Sequence, residues 1–258
     1  MNIDPFPAVA AQASATLVER GDPDRFLAMM AAPPSARPAL AVLYAFNLEI
    51  ARAPWVTAEP LVARMRLQFW RDVVSDPEAP RAHEVAGPLA ALIRARELPA
   101  ELLESMIAAR EVEIEVAHLQ DPAALMDYLD GSAGALMALS VRALGGAAND
   151  VARGYGLAQG LANYLLAVPA ILAAGRPALP EGAEPDRLAA EALAGLAQAR
   201  RNRGNVPAGA RPALLAAWRA GPVLRQVRRY PERVLAGQLA QSEFARRGGL
   251  LWASLRQA

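Results

Sequence analysis

The sequence predicts an all-helical protein, and three observations support this. Hydrophobic residues make up 54% of the 258 positions, but aromatic residues only 5%. Ala and Leu dominate the apolar set, and both suit close-packed helices better than sheets. Pro and Gly interrupt the chain at intervals typical of helices, and no alternating strand pattern or internal repeat is present. The length allows one large domain or two small ones.

Helices in the first half are expected over residues 8–20, 25–30, 36–51, 61–74 and 100–118. Asp22 or Asp24 can cap the second helix, because short polar side chains accept hydrogen bonds from the first free amides. Pro33 stops that helix, and the third must end before Pro54. The last of the five carries an apolar stripe at helical spacing with Glu residues outside it.

Helices in the second half are expected from Pro122 onward and over residues 136–144, 155–174, 187–203, 213–220, 223–230 and 231–255. A loop with three prolines covers residues 175–185. Residues 156–175 form an uncharged stretch of twenty residues, which is the length of a membrane-spanning helix. Gln159 and Pro169 interrupt this stretch, so a buried central helix of a soluble domain is the favoured interpretation.

Charge is unevenly distributed along the chain. Residues 1–175 carry 13 Arg and 20 acidic residues, whereas residues 176–258 carry 14 Arg and 6 acidic residues. The halves either neutralise each other within one fold or mark a docking surface for an acidic protein or an anionic membrane. The chain start has no cationic segment followed by an apolar one, which predicts a cytoplasmic protein.

Several site classes lack the residues they need. The chain has no Cys, which excludes disulfides and thiolate chemistry. Glu115 and His118 form a single Glu-x-x-His unit, and His83 lies in a Pro-rich turn without a second copy, so no metal site is predicted. The Arg clusters at 200–203 and 225–229 could contact phosphates, but few aromatic residues lie among them. We therefore expect exposed or salt-bridged helix surface there and no nucleic-acid partner.

Three pairs of segments, in order, resemble the squalene/phytoene synthase family. They are LYAF (43–46) with MRLQFWRD (65–72), AARE (108–111) with YLDGSAG (128–134), and GLAQGLAN (156–163) with GRPALP (175–180). The resemblance implies a single domain over residues 1–258 with the isoprenoid-synthase fold, a helical barrel around a deep apolar cavity. Active members join two prenyl diphosphates head to head, with Mg²⁺ ions held by two aspartate-rich motifs on facing helices.

Both motifs are degenerate in this sequence. The resemblance puts the first motif's aspartates at Ala51 and Trp55 and the second motif's at Ala167 and Ile171. Glu49 is the only carboxylate left in the first region, and none remains in the second. The sequence therefore predicts no catalytic residue, no metal and no cofactor, with Mg²⁺ expected only if the chain is a prenyltransferase after all.

A closer resemblance exists within the family. The runs AFNLEIA (45–51), MRLQFW (65–70) and AQGL (158–161), followed by Val168 and Pro169, are similar to the branch that includes a mitochondrial assembly factor for respiratory complex I. This implies a non-catalytic protein that assists complex I assembly. Its expected partners are complex I subunits or assembly intermediates, and contact with the inner face of the cytoplasmic membrane is an open alternative.

Two other functions stay open. One is an active prenyltransferase in which Glu111, Glu115 or Asp130 replaces the lost aspartates. The other is a non-catalytic carrier of an isoprenoid or lipid in the apolar cavity. The candidate polar contacts in such a pocket are Tyr44, Asn47, Gln159, Asn163 and Arg176.

Overall fold

A computed structural model describes residues 11–114, 119–147, 150–239 and 241–255, and these contain helices and loops but no strand. The all-helical prediction is therefore confirmed. The α-helices of the described ranges are α1 (Gln12–Gly21), α2 (Pro23–Ala31), α3 (Arg37–Arg52), α4 (Pro60–Ser75), α5 (Ala86–Arg96), α6 (Ala100–Val112), α7 (Pro122–Leu129), α8 (Ala135–Ala143), α9 (Asp150–Ala173), α10 (Pro185–Arg201), α11 (Ala220–Arg229) and α12 (Glu243–Leu255). A π-helical segment (Asp130–Gly134) joins α7 to α8, and 3₁₀ segments cover Arg203–Asn205, Ala208–Ala217 and Pro231–Arg233.

Helix boundaries follow the local sequence signals. The Asp22 side chain accepts a hydrogen bond from the amide of Arg25 at 3.0 Å and caps α2, and Asp121 caps α7 in the same way. Proline occupies the first turn of α2, α3, α4, α7 and α10, where its missing N–H costs nothing. Gly175, with a φ of 73°, follows α9 in the left-handed conformation that ends many helices.

The long helix α9 lies at the centre and packs against α8, α10, α11 and the π-helical segment. A Cβ atom added at Gly156 would lie 2.5 Å from the Ala133 carbonyl oxygen, and one at Gly160 would lie 2.6 Å from the Ala133 Cβ. The two glycines therefore let α9 pack closely against the π-helical segment. By length and composition alone α9 could cross a membrane, but the structure places it among the other helices, as the sequence predicted.

Two of the helices predicted in the last third of the chain were wrong, whereas those predicted over 187–203 and 223–230 correspond to α10 and α11. In place of the predicted helix over 213–220, a 3₁₀ segment covers Ala208–Ala217 and α11 begins at Ala220. The predicted helix over 231–255 is divided, because Gly237 adopts a φ of 66° in the turn that precedes α12.

Helix α5 was missed altogether. No helix was predicted between residues 74 and 100, where His83 was placed in a Pro-rich turn, yet Pro88 lies in the first turn of α5, where proline is tolerated. Leu89, Leu92 and Ile93 then follow at helical spacing and are buried in the core. The predicted start at residue 8 and the predicted extension of α6 over 115–118 lie outside the described residues.

Candidate functional site

A cavity of about 350 Å³ opens between the C-terminal half of α3, the C-terminal end of α6, the π-helical segment and α9. Most of its wall surface is apolar, although polar and charged side chains make up half of the residues that line it. The apolar side chains include Leu48, Ala51, Leu129, Ala133, Ala167 and Ile171, and the polar ones include Arg25, Asn47, Arg110, Glu113, Tyr128, Asn163, Tyr164 and Arg176.

The four degenerate motif positions meet at this cavity. Ala51 near the end of α3 and Trp55 in the following loop line one side. Ala167 and Ile171, one turn apart on α9, line the other. The structure thus brings together two short segments that lie more than one hundred residues apart in the sequence.

The predicted pocket contacts divide into two groups. Asn47, Asn163 and Arg176 line the cavity. Tyr44 and Gln159 are buried and do not line it within the part of the chain that the structure describes.

Glu113 is the centre of a buried hydrogen-bond network at the cavity wall, and its side chain is 8% exposed. One carboxylate oxygen accepts from Arg110 at 2.6 Å and from the Tyr128 hydroxyl at 2.7 Å. The other accepts from the indole N–H of Trp55 at 2.8 Å. Both oxygens of this carboxylate are therefore already occupied by donors from the protein.

The protonation states of this network follow from its geometry. Burial disfavours the charged Glu113, yet the Arg110 guanidinium and the hydrogen bonds outweigh it, so the pKa of Glu113 lies below its usual range. Burial likewise opposes the charge of Arg110, but the groups around it raise the pKa of Arg110. Burial raises the pKa of Tyr128, which keeps its hydroxyl protonated as a donor. The network is thus an ion pair with a neutral phenol.

Arg176 closes one side of the cavity over Trp55. Its guanidinium carbon lies 4.1 Å from the centroid of the Trp55 ring, a cation–π contact. The same guanidinium donates to the carbonyl oxygens of Pro54 at 2.9 Å and Glu113 at 3.1 Å. The loop after α9 is thereby tied to the ends of α3 and α6.

Arg25 brings a third guanidinium to the cavity. It pairs with Asp22, and its guanidinium carbon lies 5.8 Å from the centroid of the Tyr44 ring, but its buried Nε has no hydrogen-bond partner among the described residues. Burial raises the pKa of Tyr44 to about 12, and Arg25 partly opposes that shift. On the far wall, the Tyr164 hydroxyl donates to the Ala178 carbonyl at 2.6 Å, and burial raises its pKa to about 12.

These residues do not fit the Mg²⁺ ions that the family resemblance implies. Mg²⁺ prefers several oxygen ligands, usually carboxylates and water. The described lining offers one carboxylate, Glu113, already bonded to three donors, and it adds three guanidinium groups that would repel a cation. No cluster of three or more His, Asp or Glu side chains in the described ranges could hold a metal ion.

Two carboxylates suggested as replacements, and Glu49 of the first motif region, pair with other side chains away from the cavity. Glu111 accepts a hydrogen bond from Arg71 of α4 at 2.6 Å, and Asp130 pairs with Arg153. Glu49 lies 3.8 Å from Arg52 and 3.9 Å from His83. None of these three lines the cavity, and Glu115 and His118 lie outside the described residues.

Sequence reasoning missed Glu113 and gave no role to Arg110 or Tyr128. Two signals could have found them. Arg110 and Glu113 are spaced i, i+3, which lets oppositely charged side chains meet on a helix, and Arg110 and Tyr128 both lie in segments that resemble the family.

Sequence comparison supports this architecture. Residues 18–182 match the family model described as squalene/phytoene synthase, and that range includes every lining residue of the cavity. The chain is similar to the NADH dehydrogenase (ubiquinone) complex I assembly factor 6 of Homo sapiens, with 27% identity over 158 residues, 59% of this chain and 47% of that protein. It is 30% identical over 177 residues to the Drosophila melanogaster homolog, 64% of this chain and 52% of that protein. The chain spans about half the length of the curated relatives it matches.

Solved structures show the same fold. A dehydrosqualene synthase in complex with ligand superposes with a TM-score of 0.76 at 15% identity, covering 97% of this chain and 98% of that one. The squalene synthase HpnC from Alicyclobacillus acidocaldarius superposes with a TM-score of 0.70 at 19% identity, covering 86% and 94%. The prediction of an isoprenoid-synthase-like helical fold is confirmed.

Proposed function

The chain belongs to the squalene/phytoene synthase family, and we propose that it is a member without prenyltransferase activity that assists the assembly of respiratory complex I. The cavity is the observation that carries the first half of this proposal. Prenyl transfer requires a leaving diphosphate whose negative charge is neutralised as it departs, the task of divalent cations in this family. Here the cavity has apolar or aromatic side chains at all four motif positions, and the one carboxylate of its described lining is hydrogen-bonded to other residues of the chain.

The second half of the proposal is supported by the relatives named as complex I assembly factors. We propose that the partners are complex I subunits or assembly intermediates, that the chain needs no cofactor, and that it acts in the cytoplasm beside the membrane. Such a role does not require a reaction inside the cavity, because a binding protein contacts its partner through the outer surface of its fold.

Gene deletion tests the assembly role in the organism that encodes the chain. We expect membranes of the deletion strain to lose NADH-driven quinone reduction and assembled complex I, and re-expression of the chain to restore both. Succinate-driven quinone reduction in the same membranes is the control and should not change. Wild-type NADH-driven activity with normal complex I abundance would refute the assembly role.

Incubation of the purified chain with farnesyl or geranylgeranyl diphosphate and Mg²⁺ tests the lack of catalysis. We expect no release of diphosphate and no prenyl product. A parallel sample with a chelator separates metal-dependent turnover from contamination. Turnover that the chelator abolishes would show that the chain is an enzyme.

A non-catalytic isoprenoid carrier is a second candidate, favoured by the apolar walls and the three guanidinium groups of the cavity. Its volume of about 350 Å³ lies near the lower end for ligand pockets. Native mass spectrometry tests this with Ala167→Trp, which fills the cavity, and Ala170→Trp, an exposed position on the same helix. A carrier should retain lipid as the wild type and as Ala170→Trp but lose it as Ala167→Trp, whereas absence of lipid from all three excludes a carrier.

A further inference from the structure

A second and larger cavity, about 740 Å³, lies at the arginine-rich end of the fold, away from the site described above. It is bounded by α10, the 3₁₀ segment Ala208–Ala217, α11 and α12. Arg200, Arg201, Arg203 and Arg225 line it, and its described lining contains no Asp or Glu. This cavity therefore concentrates positive charge.

Three of these arginines carry charge that no carboxylate of the described ranges neutralises. Arg200, Arg201 and Arg225 are exposed, and none of them forms an ion pair there. Arg200 interacts with the Tyr155 hydroxyl and Arg201 with the Gln198 side chain, both neutral groups. Other arginines of the same half do have acidic partners, including those at 187, 219 and 246. Within the described residues, the lining of this cavity therefore carries positive charge that no acidic side chain offsets.

Helix α12 adds an exposed apolar stripe beside the arginines. Its inner face contacts the body, because Arg246 pairs with Asp24 at 2.6 Å and a Cβ atom added at Gly249 would lie 3.7 Å from the Trp218 ring. Its outer face carries large apolar side chains at i, i+7, i+8 and i+11, positions that share one side of a helix. They are Phe244 (89% exposed), Leu251 (63%), Trp252 (62%) and Leu255 (65%).

Trp252 belongs to both features, since it lies on the apolar stripe and also lines the arginine cavity. An apolar helix face bordered by arginines is the pattern of proteins that lie in the membrane interface, where apolar residues enter the acyl boundary and cations attract anionic headgroups. Tryptophan is favoured at that level, because one end of its ring system is apolar and the other hydrogen-bonds.

We propose that this face binds the surface of an anionic phospholipid membrane. The guanidinium groups of Arg200, Arg201 and Arg225 hold lipid phosphates, and the outer face of α12 inserts beside them. Charge complementarity selects this occupant, because the cavity is cationic and the adjoining surface is apolar. The inference is independent of the assembly role, and lipid binding is measured without any complex I subunit.

Flotation of the full chain with vesicles tests the proposal. We expect binding to vesicles of phosphatidylcholine mixed with phosphatidylglycerol and no binding to phosphatidylcholine alone. The triple variant Arg200→Gln, Arg201→Gln and Arg225→Gln should bind on the order of 100-fold more weakly, from roughly fivefold for each arginine near an anionic surface. A double variant Leu251→Gln and Leu255→Gln should also bind more weakly while keeping all three arginines.

A matched triple variant controls for net charge. Arg66→Gln, Arg94→Gln and Arg187→Gln remove the same charge from exposed positions on α4, α5 and the far end of α10. Circular dichroism of each variant confirms that the fold is kept. Equal weakening by both triple variants, or binding to neutral vesicles, would overturn the proposal. So would binding of soluble glycerol phosphate without any binding to vesicles, because the site would then take a free anion only.

Discussion

Replacing Glu113 with Gln removes the charge at the centre of the buried network while keeping the shape of the side chain. Arg110 would lose the carboxylate it pairs with, and its side chain is 15% exposed, so water cannot fully solvate it. The amide NH₂ of the new Gln is a donor, and it must face either the Trp55 indole N–H or the two donors, Arg110 and Tyr128, that now bond the other oxygen. Removing one partner of a buried ion pair costs about 3–5 kcal/mol. Because Arg110 retains some exposure and the Tyr128 contact, we expect about 3 kcal/mol of lost unfolding free energy.

Glu111→Gln is the matched control, two residues earlier in the chain. Its carboxylate also bonds an arginine, but the side chain is 37% exposed, so we expect a loss of about 0–1 kcal/mol. Urea denaturation followed by circular dichroism measures both losses. For a chain of this size, about 3 kcal/mol corresponds to a melting temperature lower by roughly 6–12 °C. Equal losses in the two variants would refute the assignment of Glu113 as a buried structural anion.

Acid conditions test the same assignment through its pKa. The folded-state pKa of Glu113 lies below the unfolded value of about 4.3. The carboxylate therefore contributes stability above that unfolded value, and the contribution is lost as the pH falls through the lower folded pKa. We expect the stability difference between wild type and Glu113→Gln to shrink below about pH 4. A difference that stays constant from neutral to acid pH would mean that the charge is not responsible.

Three further predictions concern packing, the cavity wall and alkaline pH. Gly156→Ala should lower the unfolding free energy in urea denaturation by about 1–3 kcal/mol, because the added methyl group overpacks the π-helical segment. Gly195→Ala has open space around it and should raise the unfolding free energy by about 0.5–1 kcal/mol. Similar effects of the two variants would contradict the close approach of α9 to the π-helical segment. Trp55→Phe keeps a ring under the guanidinium but loses the indole hydrogen bond, and we expect a loss of about 1–3 kcal/mol; an unchanged unfolding free energy would argue against that bond. Burial raises the pKa values of Tyr44 and Tyr164 to about 12. The unfolding free energy should therefore fall as the pH rises from about 10, the unfolded pKa, to about 12. An ultraviolet titration in which all phenols ionise near pH 10 would contradict this.

Most of the fold follows from signals that are local in the sequence. Prolines in first turns and the Asp caps give the starts of α2, α3, α4 and α7 to within a few residues. The errors fall where local signals conflict with packing. No helix was predicted after the Pro-rich turn around His83, but the burial of three apolar side chains stabilises α5, and tertiary contacts commonly override local preference in this way.

The candidate site could be predicted only in part. Resemblance to the family identified Ala51, Trp55, Ala167 and Ile171 from the sequence, and the structure shows that they share one cavity. Glu113 was missed although its i, i+3 spacing from Arg110 was a signal, because several carboxylates lie along and just after α6 and packing decides which one is buried. The roles of the five predicted pocket contacts stay predictions, although three of them line the cavity.

The charged groups of the cavity explain how the fold stays well packed although neither aspartate-rich motif is present. A synthase cavity rich in carboxylates would repel itself without metal ions, so its stability would depend on their presence. Here Arg110 and Glu113 neutralise each other, and Arg176 is held by a ring face and two carbonyl oxygens. The cavity is therefore stabilised by groups of the chain alone. Under the function proposed above, the helical body is retained without an interior site that binds and releases a diphosphate.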